Sequence, residues 1–140
     1  VKRAGLTRHI GLSNFTGDVL EEAVELSSEP LICNQIEIHP FIDQSAAIAA
    51  SRNHGMTVVA YSPIAKGAAK KDAVLVRIGK AHGKTAAQVS LRYLLQQDLV
   101  VIPRTSKVER LSENLAVFDF ELSPQEMDEI GKLAQPGGVA

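Results

Sequence analysis

The stretch Ile102–Asn114, Ile-Pro-Arg-Thr-Ser-Lys-Val-Glu-Arg-Leu-Ser-Glu-Asn, concentrates the chain's most suggestive chemistry. Arg104, Lys107 and Arg110 follow directly on an apolar run, Leu99 to Ile102, that reads as a buried strand. Pro103 ends that strand because it has no N–H to donate to a ladder. Ser106 and Glu109 have the spacing of a capping box, which predicts a helix from about Lys107. A helix start at a strand end offers free N–H groups and the positive end of a dipole, so cations gathered there suit an anion. Lys107 and Arg110 share a helix face with Asn114 and can close over one ligand. The same residues also suit a capped surface helix with an exposed Arg110–Glu113 ion pair, which is worth little.

Three other polar clusters sit where apolar runs end. In Gly11-Leu12-Ser13-Asn14-Phe15, the Ser-Asn pair supplies donors and acceptors for a carboxamide, or simply makes a turn. In Asn34-Gln35-Ile36-Glu37-Ile38-His39-Pro40, alternation sends Gln35 and Glu37 to one face, where they serve a ligand or an interior hydrogen-bond network. His39, before a proline, reads as a loop histidine rather than a general base. In Ala60-Tyr61-Ser62-Pro63, a ring at a strand end can stack on a flat heterocycle, and the N–H groups of the following loop can hold a pyrophosphate. The alternative is a rim tyrosine, with Lys66 solvated in the loop. His9, His39, His54 and His82 show no ligand spacing, so no metal site is expected.

The elements that must position these residues alternate. Residues 1–8 look like a last helical turn closed by Gly5. His9–Leu12, Leu31–Ile38, Met56–Ser62 and Asp98–Ile102 read as strands. Thr16 is expected to cap a helix with Val19, Leu20, Ala23, Val24 and Leu26 on one face, and Asp43 an alanine-rich helix ending at His54 and Gly55. Asp72 should cap a helix that stops near Gly83, and Thr85 with Gln88 a second. Ser123 and Glu126, with Pro124 at the first helical position, predict a last helix to about Leu133, followed by a frayed tail from Gln135 to Ala140.

Four β-α repeats with nearly continuous apolar strands imply an α/β chain with a parallel sheet and right-handed crossovers. No Gly-x-Gly-x-x-Gly follows a strand, which argues against a Rossmann dinucleotide site. Polar residues cluster instead at the C-terminal strand ends, where a (β/α)8 TIM barrel carries its site, and four strands are half of such a barrel. The composition agrees with one packed unit over residues 1–140: 45% hydrophobic, with a net charge of -1 that excludes an electrostatic bid for nucleic acid or anionic membrane. The single Cys33 forms no internal disulfide, in keeping with a reducing, cytoplasmic setting. The absence of Met at Val1 suggests a chain cut from something longer.

Taken in order, Gly-Leu-Ser-Asn-Phe, Asn-Gln-Ile-Glu-Ile-His-Pro, Ala-Tyr-Ser-Pro and Ile-Pro-Arg-Thr with Glu-Arg-x-x-Glu-Asn resemble the aldo-keto reductases across the whole chain. Within that family they are most similar to its bacterial 2,5-diketo-gluconate reductase-like members. The resemblance implies the C-terminal half of the barrel and NADP as cofactor. It assigns Ser13, Asn14 and Gln35 to the nicotinamide carboxamide and Tyr61 to the nicotinamide ring. Ser62, Ile64 and Lys66 go to the pyrophosphate, although the family often has a small residue where Lys66 stands. Arg104, Thr105 and Arg110 go to the 2′-phosphate, and Glu113 and Asn114 to the adenine. The family's catalytic Asp, Tyr, Lys and His lie on the first four strands, so no catalytic residue is expected here, and Tyr93 is read as helix packing. The implied activity is reduction of a small-molecule aldehyde or ketone by the parent enzyme. The chain alone is expected to be inactive and to need a partner, either its N-terminal half-barrel or a second copy. A non-catalytic nucleotide-binding or regulatory module, and a phosphate-binding barrel of other chemistry, are the alternative readings.

Overall fold

The computed structural model describes residues 1–135. Its sheet has four parallel strands in sequential order: β1 (Ile10–Ser13), β2 (Leu31–Glu37), β3 (Thr57–Tyr61) and β4 (Val100–Val101). The connections carry α1 (Asp18–Leu26), α2 (Ser45–Asn53), and the pair α3 (Ala73–His82) and α4 (Ala86–Leu95). After β4 come α5 (Glu109–Leu115) and α6 (Pro124–Gly131). Parallel strands in sequence order, each followed by helix, make half of a (β/α)8 barrel.

The sequence predicts strands buried on both faces. One face is covered and the other is open among the described residues. On the covered side Ile36, Ile38, Val58 and Ala60 pack against Ala47 of α2 and Leu94 of α4. A second apolar layer lies outside it, where Leu75 and Ile78 of α3 meet Ala86 and Val89 of α4, Leu122 and Ile130. On the open side Gln35, Glu37, Val59 and Tyr61 are half-buried, and Val100 and Ile102 are 46% and 43% exposed.

Local hydrogen-bonding rules hold for three helices. Asp72 accepts from the Val74 and Leu75 N–H groups, and Thr85/Gln88 and Ser123/Glu126 both close capping boxes. Gly55 and Gly83, with φ of 70° and 64°, end α2 and α3 in the left-handed region that favours glycine. Asp43 serves α2 through an Asx turn, its Oδ1 accepting from the Ser45 N–H at 2.9 Å. Gly5 (φ 73°) closes a turn over residues 1–6.

Several expectations fail for identifiable reasons. Gly17, not Thr16, precedes α1 and makes no side-chain cap. Only Leu20 of α1 is fully buried, while Val19 and Leu26 are 55% and 78% exposed, since the open end of the sheet has no neighbouring helix on that side. β4 is shorter than Asp98–Ile102, although the Ile102 N–H still donates to the Ala60 carbonyl at 3.2 Å. Gln135 is docked, its N–H donating to the Phe41 carbonyl, and the remainder of the expected tail, 136–140, lies outside the described residues.

One buried polar side chain fastens the rim to the layer behind it. Asn34 of β2 is fully buried, and its Nδ2 donates to the Phe15 carbonyl at 2.6 Å and to Ser51 Oγ of α2 at 3.1 Å. Asn34→Ala should lower stability by about 2 kcal/mol, given the typical worth of each bond and the cost of orphaned partners. Denaturant unfolding checks this, and the Asn14–Phe15 turn should become the most protease-sensitive point of the variant.

Candidate active-site rim

The parallel register brings the polar clusters to one rim. Ser13 pairs with Gln35, Gln35 with Val59, and Glu37 with Tyr61, so their side chains share the open face. Asn14 turns left-handed (φ 62°) at the end of β1, and its N–H donates to the Gln35 carbonyl at 2.9 Å. An asparagine tolerates this conformation better than most residues.

Beyond Tyr61 the backbone is unusually constrained. Ser62, Ala65 and Lys66 have φ of 50°, 48° and 51°, and Gly67 follows at 103°. Such non-glycine conformations cost roughly 1–3 kcal/mol each and persist where the surroundings over-determine them. Here Ala65 and Ala69 are buried, and the buried Ser90 of α4 donates from Oγ to the Pro63 carbonyl at 2.6 Å. The segment Ala65–Lys71 is a kinked 3-10 helix, where the sequence suggests a plain loop. The N–H groups of Ala65, Gly67 and Ala69 are spent on the Ser62 and Ile64 carbonyls, so these three are not available to a pyrophosphate.

This turn walls a cavity of about 550 Å³ lined by Ser62, Ile64, Lys66, Lys70, Ile102, Arg104 and Arg110, among others. Four of the lining residues are cations and none is acidic. A second cavity of about 450 Å³ adjoins it, lined by Lys70, Lys80, Lys84, Arg110 and Glu113, so Lys70 and Arg110 border both. Lys70 escaped the sequence reading. The signal available was its spacing four residues after Lys66, which only the kinked turn converts into a shared wall.

The helix start after β4 differs from its prediction. The Ser106–Glu109 capping box does not form: α5 begins at Glu109 with no side-chain cap. Thr105 instead makes a local turn ahead of the helix, its Oγ1 accepting from the Lys107 N–H at 3.1 Å. Lys107 lines neither cavity. Glu113 is not paired with Arg110: its Oε1 accepts from Thr85 Oγ1 at 2.7 Å, tying α5 to the start of α4. Thr105 and Asn114 line neither cavity, and Ser13, Asn14, Gln35 and Tyr61 lie along the sheet rim outside both.

His39 lies in the loop just past β2, as expected, but it is buried there. It is 2% exposed, and the Phe41 N–H donates to its Nδ1 at 3.2 Å. The neutral ring therefore carries its proton on Nε2, which lies 3.8 Å from Glu37 Oε1. Burial lowers the His39 pKa below its ordinary value of 6.5. The nearby Glu37 carboxylate opposes the shift and the Lys66 ammonium adds to it. Tyr93, the second tyrosine, sits in α4 against both apolar layers, and burial raises its pKa. No group of three or more potential metal ligands occurs among the described residues.

The Aldo/keto reductase family profile matches residues 1–135. The chain is 40% identical over 129 residues to an aldo-keto reductase of Mycolicibacterium paratuberculosis, a match covering 92% of this chain and 45% of the relative. It is 38% identical over 146 residues to bovine dihydrodiol dehydrogenase 3, covering 94% and 45%. Among solved structures, a 2,5-diketo-D-gluconic acid reductase B superposes with TM-score 0.95 at 45% identity, over 100% of this chain and 50% of that one. The aldose reductase of Schistosoma japonicum gives TM-score 0.89 at 37% identity, over 96% and 44%. The chain thus spans about half the length of the curated relatives it matches.

Because burial lowers the His39 pKa in the folded chain relative to the unfolded one, acid should unfold the protein partly through this residue. As pH falls below about 6.5, the unfolded state takes a proton that the folded state refuses, and stability declines. His39→Asn retains an acceptor for the Phe41 N–H and should lose less stability between pH 7 and pH 5. Thermal melts across that range check it.

Proposed function

The chain belongs to the aldo/keto reductase family, and we propose that it is the cofactor-holding half of an NADPH-dependent reductase of aldehydes or ketones. The observation that carries this reading is the cavity of about 550 Å³ whose lining combines Lys66, Lys70, Arg104 and Arg110 without a carboxylate. Such a donor set fits a ligand bearing several phosphates. When bound, NADPH supplies the hydride that reduces the carbonyl carbon.

The chain's own residues do the holding. Ser13, Asn14 and Gln35, joined by the Asn14–Gln35 backbone bond, take the carboxamide. Tyr61, in register with Glu37, offers its ring to the nicotinamide and leaves the opposite face free for the substrate. Ser62, Ile64 and Lys66 take the pyrophosphate, with Lys70 bridging toward Arg104 and Arg110 at the 2′-phosphate, and Thr105 joins them there from outside the cavity lining. Glu113 and Asn114 face the adenine, Glu113 steadied by Thr85.

Proton transfer to the carbonyl oxygen needs a group from elsewhere. An acid of that kind is tuned downward, whereas Tyr93 is pushed up by burial. We assign the Asp, Tyr, Lys and His of the family's chemistry to an N-terminal half-barrel, in a cytoplasmic enzyme. That half, or a second copy of this chain, would cover the open face where Val100 and Ile102 are exposed. The position of Tyr93 also favours a second reading, in which the chain binds nucleotide as a regulatory module without turnover.

Arg110→Ala should narrow the preference for NADPH over NADH by roughly tenfold, the loss of one charge-assisted bond. Equal affinities in the unmutated protein would overturn the cofactor assignment. Tyr61→Ala should weaken cofactor binding with little change in melting temperature, and Tyr93→Ala the reverse, as read by titration of NADPH fluorescence beside thermal melts. Size-exclusion with light scattering, and NADPH consumption with and without an added N-terminal half, separate the two readings. Carbonyl reduction restored by that half supports the enzyme. Unaided turnover by this chain would show that the catalytic residues lie within it.

A further inference from the structure

Among the described residues, the buried side-chain polar atoms without a hydrogen-bond partner are Asn34 Oδ1, Glu37 Oε1 and His39 Nε2. All three lie on β2 or just past its end. An orphaned buried polar atom is costly, and clustering of that cost beside a binding site marks functional use. Asn34 faces the helices and has a fastening role through Nδ2. Glu37 faces the open side, next to Tyr61 in register, and no step proposed above uses it.

We infer that Glu37 places a negative charge beside the nicotinamide position and so favours the oxidised cofactor over the reduced one. The inference rests on the cofactor reading. Hydride loss leaves the nicotinamide ring cationic, while the reduced ring is neutral. A carboxylate beside Tyr61 therefore attracts one form and is nearly indifferent to the other. Glu37 Oε1 is buried without a hydrogen-bond partner, on a side chain that is 28% exposed on the open face. His39 Nε2 lies 3.8 Å from Glu37 Oε1, beyond hydrogen-bond distance, on a ring held by the Phe41 N–H. The carboxylate thus acts on ligand preference without a protein donor taking up its charge. The cations at the 2′-phosphate behave differently, since that phosphate is the same in both forms and Arg110 does not discriminate between them.

The test compares dissociation constants of NADP+ and NADPH by calorimetry in the unmutated protein and in Glu37→Gln. The ratio Kd(NADP+)/Kd(NADPH) should rise about five- to tenfold in the variant. Glu37→Asp should stay within about twofold of the original ratio. Arg110→Gln should weaken both forms together at constant ratio. Binding of 2′,5′-ADP, which lacks the nicotinamide, should be unchanged in Glu37→Gln and reports a folded site. If it is lost, Glu37→Met, which fills similar volume without a polar atom to bury, takes its place. An unchanged ratio with both cofactors still bound overturns this inference alone. Failure of the unmutated protein to bind either form overturns the cofactor reading, and this inference with it.

Discussion

The parallel ladder through β2 is the constraint on which the rest depends. Its residues Cys33 to Glu37 pair one for one with Thr57 to Tyr61, and Asn34 and Gln35 pair with Leu12 and Ser13 on the other side. Because side chains alternate with a period of two, this register sends Gln35, Glu37, Ser13 and Tyr61 to one face and Asn34 and Ile36 to the other. A slip by one residue would bury Gln35 and Glu37 against α2 and expose Ile36. The apolar layer formed by Ile36, Ile38, Val58 and Ala60 excludes that slip, so ordinary core packing specifies the composition of the rim.

The cationic cavity depends on a second device, the left-handed run that follows β3. Extended backbone would carry Lys66 and Lys70 away from Arg104 and Arg110. Positive φ at Ser62, Ala65, Lys66 and Gly67 folds the chain back over the strand ends. Small buried side chains make this possible, since Ala65 and Ala69 let the turn sit directly on the layer beneath it. The hydroxyl of Ser90 then fixes Pro63 from α4. The helix pair behind the sheet therefore has two tasks: it closes the outer apolar layer, and it holds a strained loop at the site.

The open face accounts for the odd distribution of apolar surface. A chain with two full apolar layers still leaves Val100, Ile102, Leu111 and Leu115 exposed at 43–70%, all on or after the edge strand β4. In a closed barrel these positions face neighbouring strands and helices. A superposition with TM-score 0.95 over half of a solved reductase fits that account. Net charge near zero leaves electrostatics as a local matter, concentrated where the lysines and arginines converge.

Much of the fold and part of the candidate site were legible in the sequence. Nearly continuous apolar runs located four strands, and the capping pairs Thr85/Gln88 and Ser123/Glu126 located two helix starts, because those bonds close within four residues and need no tertiary help. The rim positions of Ser13 and Tyr61 follow from being last on their strands, and that of Gln35 from its pairing with Ser13. Where a local pattern had rivals, tertiary context chose. Ser106/Glu109 has the same spacing as the two boxes that form, but Thr105 captures the Lys107 N–H as the chain leaves β4, and the helix begins later. Glu113 faced both Arg110 in sequence and Thr85 in space, and Thr85 won. The sharing of Lys70 between two cavities and the burial of His39 join segments that no local rule connects. They were decided only when the β2 register and the left-handed turn after β3 brought those segments together.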